Sequence, residues 1–217
     1  MIRFLVLIIS SCLIFGACKS KPKTVEQTQN KEQVEKEMKK TKSLQNGDVN
    51  LIGFKDNKAI TASGRVVTIP GLMDEKQSTY FLVRHAEKTT EKPNPGLTDA
   101  GLARAAKLAA LLDGLKIDQV MSTDYKRTQD TAAPLAKSKN LSIQSYDPNM
   151  QKDLFTDLSV FNKQNVLVVG HSNTIPKLAN ILIGKEAIAE YDHEDYSNLL
   201  IISVSQPGVA TYERFQF

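Results

Sequence analysis

Apolar and polar positions along the chain predict strands and helices in alternation from residue 78 onward. Short apolar runs at 79–83, 119–122, 141–145 and 166–169 have the length of strands, and the last is apolar at every position. Such continuous apolarity is typical of a strand whose sheet is covered on both faces. Helical patterns lie between these runs, and 199–204 with 210–215 form a predicted closing hairpin. This order predicts an α/β fold, a three-layer α/β/α sandwich with a mostly parallel central sheet.

The predicted helices differ in how clearly their ends are marked. Thr98 is expected to cap a helix, and Pro176 and Gly184 stand near the start and end of another. A third helix is predicted from about residue 125, with a kink expected at Pro134, and a weaker one at 150–161. The expected apolar stripe of the helix after Thr98 consists of Leu102, Ala105, Ala106, Ala109 and Leu112.

Within the first 18 residues, an apolar run follows an arginine, and small residues and a cysteine come after the run. The run is shorter than the roughly 20 residues of a spanning helix and is typical of a secretory signal. Its end resembles a bacterial lipoprotein signal, in which Cys18 becomes the lipidated first residue, with Cys12 as the alternative. We therefore expect an exported protein, held at a membrane of the bacterial cell envelope by a lipid on Cys18.

Two further segments precede the α/β pattern. Residues 19–48 are rich in Lys, Glu, Gln and Thr and predict a flexible charged linker. Residues 49–77 predict short β segments to which the sequence assigns no role, and 78–217 is the predicted catalytic domain. The chain carries 28 Lys and Arg against 24 Asp and Glu, a balance too even to indicate a nucleic-acid partner.

Cationic and imidazole side chains follow three of the predicted strands. Arg84 and His85 follow the first strand, Arg127 follows the second after a short turn, and His171 follows the 166–169 strand. Because the carboxyl ends of parallel strands share one edge of a sheet, these four side chains are expected to meet there. Helix N-termini at the same edge would also favour an anion.

Arginine and histidine in this combination favour the chemistry of phosphate. The guanidinium fork matches phosphate oxygens and keeps its charge at any working pH. An imidazole kept neutral by neighbouring cations can act as a nucleophile toward phosphorus. The cluster thus predicts phosphoryl transfer through a phosphohistidine, in which arginines stabilise the developing charge without a metal ion or cofactor.

Three motifs in one order carry a family resemblance. RHAEK at 84–88, the pattern from Ser122 to Ala132 and GHSNT at 170–174 resemble the histidine phosphatase superfamily, with its phosphoglycerate-mutase-like fold. The resemblance covers 78–217 and includes Leu97-Thr98-x-x-Gly101. It implies that His85 is the phosphorylated nucleophile and that Arg84, Arg127 and His171 complete the phosphate pocket.

The proton donor and the substrate are less defined. The resemblance implies an acidic residue on a variable loop, and Asp153 and Asp147 are equal candidates, whereas Glu87 does not have the spacing of a donor. The expected partner is a small phosphorylated substrate, a phosphomonoester or phosphoramidate, bound between the 88–96 loop and residues 146–153.

Two alternatives stay open at this point. One is a phosphate or phosphoprotein binder that has the pocket but no turnover. The other is a serine hydrolase, since Gly170-His171-Ser172 resembles a nucleophile elbow with Ser172 as nucleophile, although Thr174 replaces the last glycine. His193, in an acidic stretch, is expected to be a solvated loop residue, and the three histidines are not spaced as metal ligands.

Overall fold

The computed structural model describes residues 49–74, 76–150, 163–206 and 209–217. The predicted signal, both cysteines and the charged linker lie outside this part of the chain, as does nearly all of the helix predicted at 150–161. Within the described residues, no helix is both long enough and apolar enough to cross a membrane.

Nine strands and four helices make up the described part of the chain, and their bounds are as follows. The strands are β1 Leu51–Lys55, β2 Lys58–Thr61, β3 Val66–Thr68, β4 Ser78–Arg84, β5 Gln119–Thr123, β6 Ile143–Tyr146, β7 Asn165–Gly170, β8 Asn198–Gln206 and β9 Val209–Gln216. The helices are α1 Pro70–Met73, α2 Asp99–Leu112, α3 Lys126–Ser138 and α4 Thr174–Ile183.

The central sheet has six strands in the order β6-β5-β7-β4-β8-β9. The pairings β6–β5, β5–β7 and β7–β4 are parallel, while β8 and β9 form an antiparallel hairpin that joins the other side of β4. The predicted α/β fold with a mostly parallel sheet is therefore confirmed, as is the closing hairpin. Because β4 and β7 are adjacent and parallel, their carboxyl ends lie side by side.

Both faces of the sheet are covered, as the apolar 166–169 run indicates. Phe81 and Val83 pack into a core formed with α2 and α3, whereas Tyr80 and Leu82 point to the opposite face and pack against α4. All seven residues of β4 are buried, so the strand that ends at Arg84 runs through the centre of the protein. Burial of an apolar side chain typically contributes about 1.5–3 kcal/mol, so this strand is a rigid support for the residues at its end.

The β segments predicted at 49–77 form a separate three-stranded antiparallel sheet, β1-β2-β3. Leu51, Ala59 and Val67 alternate with exposed or half-buried neighbours and point into the same core as Phe81. Residues 47–217 form one compact unit, so these strands add to the core of the α/β domain.

The apolar stripe predicted for α2 is confirmed at Ala105, Ala109 and Leu112, which face the core, and is wrong at Leu102 and Ala106. Leu102 is 51% exposed and Ala106 is exposed as well, and the buried positions are Gly101, Ala105, Leu108, Leu111 and Leu112. The cause lies at the helix start, where Thr98 caps the helix through the Gly101 N–H as predicted. Gly101 faces the Glu87 carbonyl so closely that a Cβ there would lie 2.2 Å from the oxygen. This contact sets which side of the helix faces the core.

The positions predicted for α3 and α4 are confirmed, while the kink expected at Pro134 stays a prediction. Pro176 lies in the first turn of α4, and Gly184 ends that helix in the left-handed conformation with φ 78°, which suits glycine. Pro134 lies inside α3, which extends past it to Ser138.

We predict that Gly101→Ala lowers the free energy of unfolding by about 1–3 kcal/mol, because the new methyl group overlaps the Glu87 carbonyl and displaces either the helix or the 85–87 segment. Chemical denaturation measures the change. Gly114→Ala is the matched control, because a Cβ at Gly114 meets nothing within 4 Å. Equal stability of the two variants would contradict the packing role of Gly101.

Candidate active site

The site lies at the carboxyl edge of the central sheet, where β5, β7 and β4 end next to one another. The His85 N–H donates to the Gly170 carbonyl at 2.9 Å, which extends the β4–β7 pairing by one residue beyond Arg84. The two histidines that follow these strands are thereby neighbours, and their ring centroids are 5.6 Å apart. Gly170 is itself enclosed, since a Cβ there would lie 2.7 Å from the Tyr146 hydroxyl.

His85 is held in one tautomer by its own backbone neighbour. Its Nδ1 lies 2.8 Å from the Ala86 carbonyl oxygen, which can only accept, so Nδ1 carries the proton. The lone pair is then on Nε2, the nitrogen that can attack an electrophile. The side chain is only 3% exposed, which fixes the direction of that lone pair.

His171 is held by a chain of threonine hydroxyls. Its Nε2 is 3.1 Å from Thr123 Oγ1, which lies 2.9 Å from Thr128 Oγ1, and the Thr128 hydroxyl is 2.8 Å from the Thr123 carbonyl. The other nitrogen, Nδ1, is 3.5 Å from Arg127 Nη2, which can only donate. Neutral His171 therefore carries its proton on Nε2 and has its lone pair toward the arginine.

Arg84 lies at the end of β4 and is 5% exposed. Its Nη1 donates to the carbonyl oxygens of Asp192 and Asp195, and its guanidinium lies over the Tyr196 ring at 4.1 Å. Its Nε is buried without a hydrogen-bond partner. A buried donor of this kind marks a place where a ligand acceptor is expected.

Arg127 repeats this arrangement from the first turn of α3. Its guanidinium lies 4.5 Å from the centre of the Tyr125 ring, and its Nε is likewise buried and without a partner. The Arg127 carbonyl accepts from the Thr131 hydroxyl, which in turn accepts from the Ala86 N–H. The arginine and the residue next to His85 are thus joined by one threonine.

The electrostatics of the site keep both imidazoles neutral. Burial lowers the pKa of His85 to about 3, and the charges of Arg84 and Arg127 add to this effect against the opposing hydrogen bond to Ala86. Burial and the same two arginines lower the pKa of His171 to about 4. Among the described residues, no carboxylate forms an ion pair with either arginine. The arrangement is a cationic pocket that contains two neutral imidazoles.

The structure brings together Arg84, His85, Arg127 and His171. It does not show either predicted proton donor in contact with these four residues. Asp147 is exposed at the end of β6 and accepts from the Asn149 N–H. It borders a depression of about 400 Å³ that shares Tyr125 with the pocket. Asp153 lies outside the described residues. Both remain predictions.

Glu87 has a structural partner. Its carboxylate accepts from Nε and Nη2 of Arg104 at 2.8–3.0 Å, a two-point ion pair between the 85–87 segment and α2. Burial would raise the pKa of Glu87, but these hydrogen bonds hold it below its usual value. The carboxylate is therefore committed to Arg104, in agreement with the sequence-based view that Glu87 is no proton donor.

The serine-hydrolase alternative requires a general base hydrogen-bonded to the Ser172 hydroxyl, and the described residues show no histidine in that position. Ser172 is half-buried, and its hydroxyl has no hydrogen bond to either ring nitrogen of His171 in the described part of the chain. His193 is exposed, as predicted. No group of three potential metal ligands occurs among the residues that the structure describes.

Several side chains at the site were not recognised from the sequence. Tyr125 and Tyr196 cover one arginine each, and Thr123, Thr128 and Thr131 carry the hydrogen bonds described above. Thr123, Thr128 and Thr131 lie within the motif from Ser122 to Ala132, and their spacing of three to five residues around a helix start was a usable signal. Tyr196 had none, since it follows an acidic loop far from every motif.

Comparison with known proteins agrees with this geometry. Residues 80–150 match the family model for the histidine phosphatase superfamily (branch 1). That segment contains Arg84, His85 and Arg127. No protein of curated function has detectable similarity to the chain.

Solved structures share the fold at low sequence identity. The protein histidine phosphatase SixA, complexed with tungstate, is 18% identical over 64% of this chain and 96% of its own, with a TM-score of 0.55. An α-ribazole phosphatase from Shigella flexneri has the same identity, coverage and score. A phosphoserine phosphatase from Entamoeba histolytica, bound to 3-phosphoglyceric acid, is 13% identical over 64% of this chain and 98% of its own, with a TM-score of 0.52. The chain therefore has a phosphoglycerate-mutase-like α/β fold.

We predict that acid destabilises the protein partly through His85. In the unfolded chain an imidazole takes up a proton near pH 6.5, whereas folded His85 does so only near pH 3. Between these values the unfolded state binds more protons, so the free energy of unfolding falls as the pH is lowered from 7 to 4. In His85→Gln this contribution is absent and the pH dependence is shallower, by up to about 1.4 kcal/mol per pH unit.

Urea denaturation between pH 4.5 and 7 measures this slope. His193→Gln is the matched control, because it replaces a histidine that is exposed and lies outside the pocket. Parallel curves for the parent and His85→Gln would show that folded His85 is not held neutral.

Proposed function

We propose that the protein is a phosphatase that hydrolyses a phosphomonoester or phosphoramidate through a phosphohistidine on His85, without a metal ion. The observation that carries the proposal is the pair of buried Nε donors of Arg84 and Arg127, which have no hydrogen-bond partner and lie beside two neutral imidazoles. A tetrahedral dianion supplies the missing acceptors and offsets both charges. The family similarity of residues 80–150 supports the same activity.

The reaction has two steps. In the first, Nε2 of His85 forms a bond to phosphorus as the bond from phosphorus to the leaving group breaks, while both guanidinium groups stabilise the charge on the phosphoryl oxygens. The leaving group takes a proton from Asp147, Asp153 or solvent. In the second step, water attacks the phosphohistidine and gives a proton back to the group that protonated the leaving group. The bond between nitrogen and phosphorus breaks, which releases phosphate and restores neutral His85.

His171 is the fourth member of this phosphate pocket. Its Nδ1 faces Arg127 and carries no proton in the neutral ring. The field of a bound dianion favours protonation there, because an opposite charge stabilises the imidazolium. Protonated His171 then donates to a phosphoryl oxygen while its Nε2–H remains on Thr123.

We predict that His85→Ala lowers kcat for hydrolysis of an aryl phosphate by at least about 10³-fold, because the nucleophile is lost. Assays are run in the presence of a chelator, so that a metal-independent activity is the one measured. His193→Ala, which alters an exposed ring, is expected to retain the parent rate. Labelled phosphoryl groups bound to the protein after alkaline quenching, and lost in His85→Ala, would identify the phosphohistidine.

Two other results would overturn the proposal. Unchanged turnover in His85→Ala removes the phosphohistidine mechanism. Phosphate binding without turnover of any aryl phosphate indicates a binding module on the same fold. Ser172→Ala is expected to retain phosphatase activity, whereas loss of an esterase activity in that variant would favour the serine hydrolase.

We also propose that the protein is exported and anchored by a lipid on Cys18, with residues 19–48 as a flexible linker. The support is the apolar run that follows Arg3 and leads into Phe15-Gly16-Ala17-Cys18. One acyl chain binds a membrane weakly, so a stable anchor needs several chains on that residue.

Fatty-acid labelling of the full chain in a bacterial host tests the anchor. We expect labelling and recovery in the membrane fraction for the parent and loss of both in Cys18→Ala, with Cys12→Ala labelled as the parent. Labelling that survives Cys18→Ala and disappears in Cys12→Ala would assign the anchor to Cys12 instead.

A further inference from the structure

The loop formed by residues 192–196, which precedes β8, holds Arg84 through three contacts. The carbonyl oxygens of Asp192 and Asp195 accept from Nη1 of Arg84 at 3.0 and 3.1 Å. The Tyr196 ring lies against the guanidinium plane, with its centroid 4.1 Å from Cζ. Each of these contacts comes from a part of the chain more than 100 residues away from Arg84 in sequence.

These contacts determine which edge of the guanidinium can bind a ligand. Nη1 carries two N–H groups, and both have an acceptor in the loop. Nε is buried without a partner. The edge that remains for a ligand is therefore the one formed by Nε and Nη2, whose two parallel N–H groups match two oxygens of a phosphoryl group.

The Tyr196 ring limits the remaining freedom of the guanidinium. A cation held over an aromatic face loses the cation–π contact when it moves away from the ring, so Tyr196 restricts where the guanidinium can lie. The same ring lies 6.0 Å from the ring of His85, so Tyr196 borders both the nucleophile and the arginine.

The loop is in turn fixed by the Asp195 carboxylate. It accepts from the backbone N–H and the hydroxyl of Ser197 and from the side-chain amide of Asn198. Asn198 is 1% exposed, and its Oδ1 accepts from Arg214 Nε at 2.7 Å on β9. The Asp195 carbonyl that binds Arg84 is thereby attached to the closing hairpin of the central sheet.

We propose that Tyr196 and Asp195 are positioning residues of the phosphate pocket, which hold Arg84 so that its Nε–Nη2 edge faces the phosphoryl group. The inference rests on the proposed function and goes beyond it, because it assigns roles to two residues outside every motif of the chain. Neither side chain needs to touch the substrate. Both act through Arg84.

The first test is the affinity for inorganic phosphate, measured by isothermal titration calorimetry on the full chain. Tyr196→Leu is expected to weaken binding roughly 3- to 30-fold, because the aromatic face is lost. Tyr196→Phe keeps the ring and is expected to retain most of the affinity. Tyr212→Leu is the control. Tyr212 lies on β9, and its core contacts do not include Arg84, so this variant is expected to bind phosphate as the parent does.

The second test separates positioning from a general loss of structure. In an Arg84→Ala background, Tyr196→Leu is expected to cause no further loss of phosphate affinity, because the tyrosine acts only through the arginine. Asp195→Asn keeps the shape of the side chain and is expected to weaken phosphate binding in the parent background and to have no effect in the Arg84→Ala background.

Each result supports or overturns the inference, and failure of the proposed function is recognisable separately. A parent protein that neither binds phosphate nor hydrolyses an aryl phosphate overturns the function and the inference together. A parent that does both, with unchanged affinity in Tyr196→Leu and Asp195→Asn, overturns only the positioning roles. Equal losses in Tyr196→Leu and Tyr196→Phe, or additive losses in the Arg84→Ala background, would also overturn them.

Discussion

Two guanidinium groups, Arg84 buried and Arg127 half-buried, are the constraint on which the site depends, and no described carboxylate forms an ion pair with either. Removing a charge from water costs several kcal/mol when no opposite charge is paired with it, so the rest of the structure must hold these groups in place. Arg84 extends from a fully buried strand, and Arg127 from the first turn of a helix packed on the same sheet. Carbonyl oxygens and aromatic faces replace part of the lost hydration, and the buried Nε donors are left for an anion.

The same cations determine the state of the histidines. A protonated imidazole beside two arginines would add a third charge, so burial and repulsion together keep both rings neutral. The hydrogen bonds then decide which nitrogen is available. Ala86 holds the proton of His85 on Nδ1, and the threonine chain from Thr123 holds that of His171 on Nε2. The protonation state and the tautomer of both rings thus follow from burial beside two cations and from these hydrogen bonds.

The relatives of known structure show why the fold does not identify the substrate. Structures with similar folds are described as phosphatases of protein histidine, α-ribazole phosphate and phosphoserine. A pocket made of arginines and histidines would recognise the phosphoryl group, which all such substrates share. On the proposed function, selectivity would come from residues outside this cluster, and Tyr125, which contacts His171 and Arg127, also lines a depression with Asp147.

Much of the fold and the centre of the site could be predicted from the sequence, because both depend on local signals. Apolar runs of strand length, Thr98 at a helix start and Gly184 at a helix end specify local structure, and parallel strands bring the residues that follow them to one edge. The exposure of Leu102 and Ala106 on α2 was not predictable in this way, since it depends on the contact of Gly101 with the Glu87 backbone. Nor was the role of residues 49–77 in the core, because three short strands are not stable until another surface covers their apolar face.

The sequence by itself determined which chemistry the chain carries: two arginines and two histidines at strand ends, in an order typical of one superfamily. Only the tertiary structure decided how these groups are oriented. Tyr196 meets Arg84, and Thr123 meets His171, across long separations in the chain, and no periodicity encodes such contacts. The orientation of a side chain depends on the atoms packed around it, and those atoms become neighbours only when the sheet has formed.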